Sequence, residues 1–149
     1  MPTRRYHLRE AIVEAAKPLL ETAGFALDSH HGDHVFRRPR PDGLVEAIAF
    51  CAGKYPNNFI VDVALVRSGQ NPFEAYPITR PRLREEDLRV GVREPLGNVV
   101  HGRYVRGDDH TWQSDDELRK KVLKAAELAI VHGPKYWNRQ AGRILRKLR

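Results

Sequence analysis

The chain reads as an α+β domain: a mostly antiparallel sheet of four to six strands, with an N-terminal helix and two C-terminal helices packed on it. Three observations predict this. An apolar stripe at helical spacing opens the chain, a succession of short apolar runs bounded by turn residues fills its middle, and two further helical periodicities close it. The middle runs follow one another without a helix long enough for a crossover, so neighbouring strands are expected to pair antiparallel.

The first helix rests on Leu8, Ile12, Ala15, Ala16, Leu19 and Ala23, which recur every three or four residues and form one apolar stripe. Gly24 offers a left-handed stop, with Phe25 placed to fold back on Leu20. Pro18 lacks an N–H and crowds the carbonyl of Glu14, so a kink is expected there. Strands are expected at Phe25 to Leu27 and Val35 to Arg38, joined by a turn at His30-His31-Gly32-Asp33. Pro39-Arg40-Pro41-Asp42-Gly43 breaks the pattern. Leu44 to Cys51 is almost wholly apolar and reads as a central strand. Phe59, Val61, Val63 and Leu65 alternate along another. Leu88, Val90 and Val92 suggest a half-exposed strand, and Val99 to Val105 suggests one more.

Ser114 with Glu117 three residues on is a capping box, followed by a core stripe of Leu118, Val122, Ala125 and Ala129. Gly133-Pro134 is expected to end that helix. A last helix, about 135–148, places Trp137, Ala141, Ile144, Leu145 and Leu148 within an arc of roughly 100°, with its cations opposite.

Length and composition fit one domain over residues 1–149: 41% of residues are hydrophobic and 30% charged, which is globular and neither disordered nor membrane-like. No apolar run approaches the roughly 18–20 residues of a spanning helix. The charged N-terminus has no apolar stretch behind it, so no signal peptide is expected. The single cysteine, Cys51, rules out an intrachain disulfide and fits a reducing, cytoplasmic setting.

The net charge of +7 is concentrated. Residues 1–74 hold nine basic and nine acidic side chains, and residues 75–134 hold eleven against ten. Residues 135–149 hold six cations and no acid. The domain is neutral and carries one basic helix.

No catalytic constellation stands out, so the chain is not read as an enzyme. His30, His31, Asp33 and His34 crowd five positions, but in a tight turn His30 and His31 diverge, where zinc needs three or four converging ligands. Asp108, Asp109 and His110 are the nearest further donors. No metal and no cofactor is expected. Cys51 follows Phe50 in an apolar strand and reads as a small buried hydrophobe, because a reactive thiol needs an exposed electropositive setting. Asp62 either faces solvent or is a buried acid paired with an arginine; no base is fixed beside it by spacing. Cys51-Ala52-Gly53-Lys54 lacks the glycine spacing of a phosphate loop.

Two features carry a binding chemistry. Residues 68–87 contain three prolines and no periodicity, and they present Phe73, Tyr76, Arg80 and Arg82, a mixture suited to anchoring a protein partner. The alternative is that these aromatics seal the sheet edge. The basic helix offers Lys135, Arg139, Arg143 and Arg146 along a rise of about 20 Å, which suits nucleic-acid phosphates. The alternative there is a docked helix with solvated cations.

The order of motifs resembles the DUF4304 family. Leu19-Leu20-Glu21-Thr22-Ala23-Gly24-Phe25, with a proline just before, is similar to its opening helix end. Val35-Phe36-Arg37, Ile48-Ala49-Phe50-Cys51, Lys54-Tyr55 and Phe59 to Val63 resemble its strands, and Trp112 precedes a capped helix as in the family. The resemblance implies a small bacterial α+β domain with no established activity, cofactor or catalytic residue, similar to partners found near toxin or defence systems. The expected function is therefore a non-enzymatic, immunity- or antitoxin-like module that binds a protein. Nucleic-acid binding by the basic helix is the alternative.

Overall fold

The computed structural model describes residues 4–30, 33–55, 57–72, 75–77, 89–102 and 110–147. The N-terminal helix is α-helical over Arg4–Ala11 (α1), π-helical over Ile12–Ala16, and α-helical again over Lys17–Thr22 (α2). The π-helical turn stands directly before Pro18, where the sequence predicts a kink. The Lys17 N–H bonds back five residues to the Ile12 carbonyl, directly before the ring that would crowd Glu14. Gly24, at φ +95°, closes the helix. Phe25 N–H reaches the Leu20 carbonyl at 2.9 Å and Gly24 N–H the Glu21 carbonyl at 3.0 Å, the double bond of a Schellman ending.

Four strands follow: β1 (Ala26–His30), β2 (Asp33–Pro39), β3 (Leu44–Ala52) and β4 (Asn58–Arg67). Two-residue β5 (Tyr76–Pro77), β6 (Gly91–Pro95) and two-residue β7 (His110–Thr111) complete the sheet. The order is β1-β2-β3-β4-β6-β5, with β7 beside β4. Every pairing is antiparallel except β5 with β6. The expected class therefore holds: helices on a mostly antiparallel sheet.

Side-chain alternation divides the sheet into two faces. Phe36, Ile48, Phe50, Phe59, Val61, Val63, Leu65 and Val92 point towards the helices and form the main core with Ile12, Leu20, Leu118, Val122 and Trp137. The opposite face carries small residues, Val35, Ala47, Ala49, Ala64 and Val66, against which Ala75 packs. Asp62, 5% exposed, is the buried paired acid of the two readings. Its Oδ2 takes a hydrogen bond from Arg93 Nη1 at 2.9 Å, and Arg93 Nε donates to the Ala75 carbonyl.

Three expectations are corrected. The two C-terminal helices are one, α4 (Asp115–Lys147), 33 residues long and running through Gly133-Pro134. The capping box is formed at its start: Glu117 N–H bonds Ser114 Oγ at 3.1 Å, and Glu117 Oε2 takes the Gln113 N–H. Gly133 keeps helical backbone because its missing Cβ is a packing device. A Cβ there would lie 2.5 Å from the Trp137 ring one turn on. Trp137 fills that space fully buried, and its indole N–H reaches the Ala64 carbonyl of β4 at 2.8 Å. Tertiary contact thus outweighs the Gly-Pro signal.

The valines read as a strand from Val99 belong instead to a helix, α3 (Leu96–His101); residues 103–105 lie outside the described set. Pro95 ends β6 and leads into the helix, and Gly102 at φ +69° closes it, its N–H bonding the Asn98 carbonyl at 2.8 Å. The strand expected from Leu88 to Arg93 is displaced towards the C-terminus and begins at Gly91. There φ is +135°, and a Cβ would lie 2.2 Å from the Leu65 carbonyl oxygen, so only glycine lets β6 close on β4.

Candidate functional site

The end of β6, α3 and the second half of α4 enclose a groove of about 400 Å³. Glu94 contributes from β6, Asn98 to Gly102 from α3, and Val131, His132, Lys135, Tyr136 and Arg139 from α4. The site exists because α4 does not stop at Gly133-Pro134. Continuing in one helix carries Lys135, Tyr136 and Arg139 to face α3, and Pro95 turns the chain from β6 straight into that facing wall.

The lining mixes two chemistries. Val99 and Val100 are half-buried, and Val131 is 69% exposed. Lys135 and Arg139, four residues apart and hence neighbours on the helix surface, are both exposed. Tyr136 lies between them in sequence but is 5% exposed, and its hydroxyl has no hydrogen-bond partner among the described residues. Burial, together with the nearby Glu94 and Asp62 carboxylates, holds the Tyr136 proton well above the usual phenol range, against the pull of Arg139 and Arg143. Half-buried Glu94 is raised above the usual carboxylate range by desolvation, which outweighs the attraction of Arg139 and Arg143. One turn beyond Tyr136, fully buried Gln140 accepts a hydrogen bond from Arg143 at 3.2 Å, while its Nε2 finds no partner among the described residues.

Of the residues expected to bind a partner, Phe73, Arg80 and Arg82 lie outside the described residues. Tyr76 is placed by its backbone in β5, paired with Val92 at the sheet edge. Ala75 just before it belongs to the second face of the sheet, and Pro72 is buried. The basic residues divide. Lys135 and Arg139 line the groove, Arg143 holds Gln140, and Arg146 Nε returns to the Gly142 carbonyl at 3.0 Å. The apolar arc opposite them is docked: Trp137, Ala141 and Ile144 are buried and Leu145 half-buried, while Leu148 lies outside the described set.

The histidine-rich turn is described only in part. His34 is buried in β2, His110 stacks on Phe59 at 4.7 Å, and His31, Asp108 and Asp109 lie outside the described residues. Among the described residues no three His, Cys, Asp or Glu side chains gather as metal ligands would. Cys51 is half-buried in β3 opposite Ile60, and so is less enclosed than its apolar strand suggested.

Sequence reasoning found Lys135 and Arg139 through the charge count and missed Glu94, Asn98 and Tyr136. A signal existed for Tyr136, a tyrosine set between the cation-bearing edge and the apolar arc of one helix. No protein-family model, curated protein or solved structure matches this chain. Among the described residues no helix is long and apolar enough to cross a membrane. The groove presents hydrogen-bond donors, two cations, one acid and an apolar wall, a set suited to holding a ligand.

Proposed function

We propose that this chain is a non-catalytic binding module whose partner is another protein, engaged at the cationic edge of α4 and the groove beside it. One observation carries this reading: a tyrosine whose buried hydroxyl has no partner among the described residues lines a groove that two exposed cations, Lys135 and Arg139, also line. An unsatisfied buried hydroxyl costs about 1–3 kcal/mol, a cost that a ligand offering an acceptor relieves. Exposed valine beside it supplies the apolar contact that partner surfaces use. The motif likeness to DUF4304 supports an immunity- or antitoxin-like role in a reducing cytoplasm, and Phe73, Tyr76, Arg80 and Arg82 remain a proposed second contact.

A nucleic-acid reading is favoured by a different observation, the run of Lys135, Arg139, Arg143 and Arg146 along the basic edge of α4. One experiment separates the two. The tagged chain and its Lys135→Glu/Arg139→Glu variant are used to capture material from the native cell, with and without nuclease. The expected result is a protein retained after nuclease and reduced at least tenfold, about 1.4 kcal/mol, by the double variant at unchanged melting temperature. Material lost on nuclease treatment, with affinity falling steeply with salt, would transfer the function to nucleic acid.

A further inference from the structure

We infer that the groove between α3 and α4 accepts a carboxylate carried on a small aliphatic body, in the partner the free C-terminus of a chain ending in an aliphatic residue. This rests on the protein-binding reading above and names what the groove takes.

Charge selects the head group. Among the lining side chains Lys135 and Arg139 bring two positive charges and Glu94 one negative, so with His101 and His132 neutral the lining leaves one cation to be matched, and Arg143 behind it adds to the pull on an anion. A carboxylate carries that single charge. A phosphate monoester carries about 1.5 to 2 negative charges at neutral pH and would overshoot while also facing Glu94. Arginine's planar fork fits two carboxylate oxygens side by side, with Lys135 one helical turn away. The Tyr136 hydroxyl supplies a neutral donor whose proton is held firmly, so it donates without ionising.

The apolar wall selects the body. Val99, Val100 and Val131 border the same groove, and Val131 is the most exposed large apolar side chain among the described residues. A branched aliphatic side chain next to a terminal carboxylate places its methyl groups against these valines while its head group meets Arg139. A groove of about 400 Å³ lies within the ordinary range for small ligand sites and holds a terminal residue or two, not a long segment.

The test uses the whole chain, labelled with ¹⁵N and titrated with N-acetyl-leucine, its amide and inorganic phosphate. N-acetyl-leucine is expected to shift the amides of Glu94, Asn98 to Gly102 and Val131 to Arg139, with Kd in the millimolar range usual for so small a ligand. The amide should bind at least fivefold more weakly, and phosphate should not compete. Tyr136→Phe should weaken binding about three- to tenfold, the worth of one hydrogen bond, without lowering the melting temperature. Glu94→Gln should tighten it, since a like charge is removed.

Equal binding of acid and amide, no shifts at these positions at roughly ten times the millimolar Kd, or full competition by phosphate would each overturn the inference. If N-acetyl-leucine fails while Lys135→Glu/Arg139→Glu still abolishes protein capture, the carboxylate inference falls and the binding module stands. If N-acetyl-leucine binds but capture is indifferent to those substitutions, the protein-binding reading falls instead, and with it the assignment of the groove to a partner's C-terminus.

Discussion

The indole of Trp137 lies against the bare Cα of Gly133, and its N–H reaches into the central strand β4. Replacing Trp137 with alanine should cost about 3–5 kcal/mol, as expected for emptying a buried aromatic site. Gly133→Ala should also destabilise, although alanine is the better helix former by about 1 kcal/mol, because the new methyl would meet the ring. Urea denaturation of both variants checks this; a stabilised Gly133→Ala would show that the ring can move aside. Glu94 offers a test with a definite sign. Its carboxyl, facing Arg139, Arg143 and Tyr136, is raised by burial above its ordinary value of 4.5. The fold therefore holds the proton more tightly than the unfolded chain. The group's contribution is fully present below pH 4.5 and lost as pH rises through the raised folded value. Glu94→Gln should raise the melting temperature at neutral pH and change it little near pH 4, and thermal melts at the two pH values decide it. At this scale the sequence disclosed Trp137 through its arc. It hid Glu94 and Tyr136, because their significance comes from a wall of α3 that periodicity assigned to a strand.

Elements were legible where local pattern and tertiary packing agree. The capped start of α4, the Schellman ending of α2 and the hairpin strands β1 to β4 lie close to where spacing and turn residues put them. Two elements departed from their local pattern. Gly133-Pro134 is a stop in isolation, yet the Trp137 ring and the docked arc hold the helix together across it. Val99 and Val100 are β-formers by propensity, yet Pro95 and Gly102 set the limits of a short helix whose valines pack beside α4. Pro134, exposed within α4, removes one helical hydrogen bond. Pro134→Ala should therefore stabilise the protein by about 1–3 kcal/mol, offset in part by the freer unfolded chain. Calorimetry on the variant gives the sign directly; a loss of stability would mean that the ring shapes the helix to fit the groove.

Across the whole molecule, α4 spans about 50 Å and joins two environments. Its first half packs on α1 and the π-helical turn, where Arg119 meets Glu14 at 2.7 Å; its second half closes the sheet and forms one wall of the groove. A second tie reaches α4 from the β2–β3 corner. Arg38 and Arg40 grip buried Glu46 from both sides, Arg38 lies over the Phe25 and Trp137 rings, and Arg40 bonds Asn138 at 3.1 Å. The antiparallel class was legible because successive strands are neighbours; the placement of β6, β5 and β7 was not, because it depends on glycine geometry and long connections. The bond from Trp137 to Ala64 joins residues 73 positions apart. That separation has a consequence in time. Hairpins between adjacent strands close within microseconds, whereas a contact across so long a loop waits for the chain to have lost most of its freedom. The sheet from β1 to β4 can be paired while its helix-facing side is still open to water. The seating of one indole in β4 is then expected late in folding, and with it the groove walled by the same stretch of helix; Trp137→Ala should speed unfolding and leave the folding rate nearly unchanged, and an equal slowing of folding would show the reverse.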